Sequence, residues 1–175
     1  MFSDDMMLRR LAHTEYDVTG LHSPALMEAA RRHEYLGERA LNQALGRLVM
    51  LNYVRLPMRG AALAEALTLT NFNLDRKLLR ALDGLFISGE ALDVVLDVLA
   101  DFYREMWLMP VPPMTRNGLV QVSLQTLLRR VQDPRVIARL LQHVRHKFPL
   151  LQDRLPEVEA AVTAYLRLSG RAEGN

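Results

Sequence analysis

Cysteine is absent from the 175 residues, which excludes disulfides, thiol nucleophiles and thiolate zinc sites. Aromatics make up only 6%, and runs of Val, Ile and Thr are rare, so the chain has little of what fills a pleated sheet. No apolar run reaches the ~18–20 residues of a membrane span. The opening MFSDDMMLRR is acidic before it is basic, with no apolar stretch or cleavage site, so a cleaved signal peptide is not expected. Also missing are a glycine-rich phosphate loop, HExxH and a nucleophile elbow. His13, His22 and His33 sit beside acids or turns without a constellation, and His143 and His146 have no third ligand nearby. No catalytic residue, cofactor or metal ligand is therefore assigned, and a non-enzymatic, cytoplasmic protein is expected.

Half of the residues are hydrophobic, with Leu and Ala dominant. That balance favours helix and allows a sizeable core. The periodicity predicts an all-α fold, a compact bundle of about seven or eight helices. Helices are expected over 4–16, from Ser23-Pro24 to His33, within 37–60, over 74–86, from Ser88 to Met109, over 119–131, from Asp133-Pro134 to Lys147, and over 156–168. Segment 61–70 is ambiguous. Ala61 to Leu67 favour helix, whereas Leu67-Thr68-Leu69-Thr70 alternates as a short strand does. Three prolines interrupt Trp107 to Met114, the best linker. The chain is thus either one domain or a helical subdomain 1–109 carrying a second one, 118–170, packed on it. Residues 25–48 and 62–85 also align without gaps, matching Leu41 with Leu78, Ala44 with Ala81, Leu45 with Leu82 and Leu48 with Leu85. Such spacing suits a helix–turn–helix repeat.

Net charge is only +2, but the charges are segregated. Glu90, Asp93, Asp97, Asp101 and Glu105 recur at three or four residues, an acidic stripe on one helix face. Downstream, Arg129, Arg130, Arg135, Arg139, Arg145 and Lys147 face a single acid, Asp133. The two segments can serve each other or serve a partner. The leading functional expectation is a protein–protein interaction module, an adaptor, chaperone-like factor or regulator. Glu90, Asp93, Asp97, Asp101, Arg135 and Arg139 would supply charged contacts, and Trp107 and Met109, with Met114, apolar ones. The partner would be another protein or a second copy of the chain.

A second expectation rests on residues 24–70. ALMEAARR reads as a support helix, LNQALGRL as a recognition helix and NYVRL as a first wing strand. This stretch resembles the winged-helix core of MarR-type transcription regulators. The resemblance implies DNA binding, with Arg39, Asn42 and Gln43 at base edges. Arg31, Arg32, Arg47, Arg55 and Arg59 would contact phosphates. It also requires a β-wing over 56–70, so that segment decides between the two expectations.

Overall fold

The computed structural model describes residues 23–51, 53, 56, 58–86 and 90–169. The helix expected over 4–16, together with Arg55 and the Ser88 cap, lies outside them. The described residues form eight helices and no strand: α1 (Ser23–Arg32), α2 (Glu38–Met50), α3 (Gly60–Leu69), α4 (Arg76–Leu85), α5 (Leu92–Leu108), α6 (Pro113–Val131), α7 (Arg135–Lys147) and α8 (Leu155–Leu168). The all-α bundle read from composition and periodicity is what the chain forms.

The ambiguous segment is a helix, so no wing occupies 60–69. Its surroundings explain why. Ala62, Leu63, Ala66 and Leu67 are fully buried between α2 and α5. A helix hydrophobic on nearly every side loses the sharp stripe that sequence patterns rely on. Burying each leucine there is worth roughly 1.5–3 kcal/mol. The Thr68 hydroxyl, which suggested a strand, donates instead to the Ala64 carbonyl one turn back, 3.1 Å away.

Two glycines set how closely the inner helices approach. A Cβ on Gly46 of α2 would lie 2.9 Å from the Glu65 Cβ and 3.0 Å from the Ala66 nitrogen of α3. A Cβ on Gly60 would lie 2.3 Å from the Phe102 nitrogen and 2.6 Å from the Asp101 carbonyl carbon of α5. Backbone therefore meets backbone at both crossings. Gly60 also faces Asp101 while Thr68, eight residues on, meets the Met109 sulfur, so α3 and α5 run in the same direction.

The sequence repeat has a structural counterpart. Both α1 and α3 end in the same hydrogen-bonded motif, closed by Tyr35 N–H to Ala30 O and Glu34 N–H to Arg31 O in one. In the other, Phe72 N–H bonds Leu67 O and Asn71 N–H bonds Thr68 O. Each turn places a non-glycine residue, Glu34 (φ 62°) or Asn71 (φ 51°), in the left-handed region. The paired leucines of the alignment carry the core in α2 and α4: Leu41, Leu45, Leu78, Leu82 and Leu85 are buried.

The C-terminal half continues the same core. Trp107 and Leu108 belong to α5, and α6 begins at Pro113, so only Met109 to Pro112 connect them. α5 packs on both α3 and α7, and the buried apolar residues from Leu41 to Val162 form one cluster. Inside it the Tyr103 hydroxyl is bonded to Ser123 Oγ, which itself donates to the Val120 carbonyl at 2.9 Å. Complete burial pushes the Tyr103 phenol far above its ordinary pKa.

Candidate functional site

The acidic stripe and the basic segment meet within the chain. α5 and α7 run side by side in the same direction, α5 offering two acids one turn apart and α7 two cations two turns apart with a histidine between them. Arg139 reaches Asp93 at 2.7 Å and Lys147 reaches Asp97 at 2.8 Å. His143 stands between them, 3.5 Å from Asp93 and 3.6 Å from Asp97. The Arg139 hydrogen bond, helped by its charge and by His143, holds the Asp93 carboxyl below its ordinary value. Exposed pairs of this kind are screened by solvent and add little to stability. Their larger effect is to fix which faces of α5 and α7 meet, since rotating either helix about its axis would turn the partners apart.

The rest of the predicted docking residues divide. Asp101 turns inward to Arg104 at 3.2 Å, and burial pushes its carboxyl up. Glu90 is exposed, and no cation among the described residues pairs with it. Asp133 accepts the Arg135 backbone N–H at 2.9 Å, leaving the exposed Arg135 guanidinium without an acid among the described residues. Trp107 is 6% exposed, so it is core rather than an adhesive surface. Its indole N–H donates to Glu157 of α8 at 3.1 Å, and the Arg116 guanidinium lies over its ring, 5.4 Å from the centroid. Met109 is half-buried beside Thr68, whereas Met114 is 87% exposed.

The residues of the DNA reading divide as well. Arg39 and Arg47 are exposed on α2, with the half-buried Gln43 between them at helical spacing. Arg59 is engaged: it binds Glu28 of α1 and Glu38 of α2, each at 2.8 Å. Glu28 also takes Arg31 at 2.6 Å, the first cause of its lowered pKa, with the Arg59 charge adding to it. Asn42 turns toward a cleft of about 350 Å³ shared with Glu38, Gly60, Asp97, Asp101 and Arg104. Its enclosed Oδ1 has no partner among the described residues, and the two guanidiniums there, of Arg59 and Arg104, are already tied to carboxylates. Among the described residues no cluster of metal-binding side chains forms, and no helix is long and apolar enough to cross a membrane.

One surface was only partly visible in the sequence, through Met114. Leu69 (51% exposed), Leu74 (45%), Leu108 (57%) and Met114 (87%) come from four different elements. The fold brings them to one end of the bundle. Thr68 and Met109 touch, which places the C-terminal ends of α3 and α5 together. Leu74 lies against Gly118 of α6, one turn after Met114. The turn carrying this apolar end is conformationally costly. Phe72 has φ 62°, a left-handed value rare for a bulky residue, and Thr70 and Asn73 hold it with mutual hydrogen bonds of 2.9 Å.

No family model matches this chain, and no curated protein or solved structure is significantly similar to it.

Proposed function

We propose that this chain is a non-enzymatic helical interaction module, a cytoplasmic adaptor or regulator that docks on another protein through the apolar end formed by Leu69, Leu74, Leu108 and Met114. The observation that supports this reading is the gathering of exposed apolar side chains from three helices and the α3–α4 turn at one end of the bundle. Scattered exposed leucines need no explanation, but grouped ones favour a contact surface. The internal pairing of Asp93 and Asp97 shifts the expected docking surface away from the acidic stripe. The test is site-specific photo-crosslinking in native cell extract from position 114 and, as a control, from exposed Gln142. A discrete protein adduct from 114 alone, lost when Leu108→Asp is added, is the expected result. Equal labelling from both positions would refute the proposal.

The winged-helix reading keeps one supporting observation, the exposed Arg39 and Arg47 flanking Gln43. It loses the wing, Asn42 and Arg59. Filter binding to a random duplex pool at low salt, with Arg39 and Arg47 changed to Gln, decides it: no retention by the unmodified chain sinks DNA binding.

A further inference from the structure

α6 is a nineteen-residue helix without one acidic residue. Its outer stripe, at successive turns, reads Met114, Asn117, Gln121, Gln125 and Arg129, all exposed. α4 lies alongside in the same direction, with Leu74 against Gly118 at one end and Asp83 against Arg129 and Arg130 at the other. Asp83 alone faces two guanidiniums, at 2.8 and 3.4 Å, whose side chains remain 64% and 42% exposed. At the opposite end Arg76 and Lys77 are exposed and pair with no acid among the described residues. The nearby Asp75 carboxylate accepts the Lys77 backbone N–H at 2.7 Å. The face therefore carries more cations than anions, donor-bearing amides along its middle, and apolar Leu74 and Met114 where it joins the apolar end of the bundle.

The geometry points to an acidic segment of a partner protein as the occupant of this α4–α6 face. Its apolar end would sit on Leu74 and Met114, and its carboxylates would reach Arg76, Arg129 and Arg130. This rests on the interaction reading above and names the chemistry of the partner. Guanidinium forks match carboxylates with two parallel hydrogen bonds, and Asn and Gln can serve the partner's backbone. A nucleic-acid strand fits less well: no exposed aromatic residue of α4 or α6 offers a stacking platform, and a phosphate backbone gains nothing from Leu74 and Met114. The stripe from Met114 to Arg129 spans ~22 Å at 1.5 Å per residue, the length of a helical peptide of about fifteen residues.

Panning a random peptide library of about that length against the intact protein tests the assignment. Enriched peptides are expected to carry a several-fold excess of Asp and Glu over Lys and Arg. The excess should vanish against an Arg129→Gln/Arg130→Gln variant, whose folding is checked by circular dichroism and by the emission of Trp107. An individual acidic peptide should lose affinity about tenfold or more with that variant, and also with Met114→Asp. Enrichment without acidic bias, or a bias that survives the arginine changes, would overturn the acidic partner and leave the apolar docking surface standing. Binding indifferent to Met114→Asp would sink the docking surface itself, and no enrichment at all counts against both. A fluorescent single-stranded oligonucleotide that binds, weakens with the arginine variant and ignores Met114→Asp would reassign the face to nucleic acid.

Discussion

The same substitution, glycine to alanine, is expected to act in opposite directions at two positions. At Gly60 the added methyl would arrive 2.3 Å from the Phe102 nitrogen and 2.6 Å from the Asp101 carbonyl carbon. These are backbone atoms of α5, which cannot swing aside as a side-chain tip can. α3 and α5 must part, opening the contacts of the fully buried Ala62, Leu63, Ala66 and Leu67. Overpacking typically costs 1–3 kcal/mol, and rigid backbone on the receiving side argues for about 3. Gly60 is the first residue of α3, so alanine's helix propensity gives little back. At Gly84 of α4 nothing lies within 4 Å of the new methyl. There alanine should gain about 0.5–1 kcal/mol, from helix propensity and a less flexible unfolded chain. Urea denaturation followed by the emission of the single tryptophan, Trp107, measures both. For a chain of this size the shifts translate to roughly 6–12 °C lower for Gly60→Ala and ~1–4 °C higher for Gly84→Ala. If Gly60→Ala falls within about 0.5 kcal/mol of the unaltered chain, or unfolds later than Gly84→Ala, then α3 and α5 do not meet backbone to backbone.

Tyr103 and Ser123 should behave as a unit. Ser123→Ala strands a buried phenol and should cost about 1–3 kcal/mol, Tyr103→Phe about 1 kcal/mol, and the double variant less than their sum, because no buried donor remains unmatched. Strict additivity in a double-mutant cycle would exclude the hydrogen bond. The α5–α7 pairing predicts acid sensitivity of a definite sign. Asp93 faces Arg139 and His143, and its carboxyl titrates lower in the folded chain than unfolded. Its contribution is therefore present above pH ~4 and is lost as pH falls through the folded value. Asp93→Asn should flatten the decline in urea midpoint on acidification below that point, and a variant as acid-sensitive as the parent would contradict the pairing.

The local signals in the sequence located most helices because they act over one or two turns. Asp133-Pro134 marks a start by cap and ring geometry, and α7 begins beside it at Arg135. The segregation of acids over Glu90 to Glu105 and of bases over Arg129 to Lys147 was enough to suggest that the two segments serve each other. Elements decided by neighbours were harder. α3 could read as helix or wing until α2 and α5 closed around it. Gly60 looked like the edge of a helix-and-turn stretch, but its role is to let another helix's backbone in. Asn42 occupied a recognition-helix position by number, but the approach of α3 turned it toward a cleft. Of the apolar end only Met114 was legible, because Leu69, Leu74, Leu108 and Met114 share no periodicity and are brought to one end only by the connections between the helices.

The side-by-side run of α5 and α7 has a consequence for how the chain is made. Lys147 follows its partner Asp97 by 50 residues. At a synthesis rate of about 5–20 residues per second, that delay lasts on the order of 3–10 seconds. Through that interval α5 can already pack on α3 through Gly60, while the side that will receive Val144 and Lys147 waits uncovered. A nascent chain stalled within α7 would present that surface, acidic along its edge and apolar at its centre, to whatever factors attend the ribosome exit.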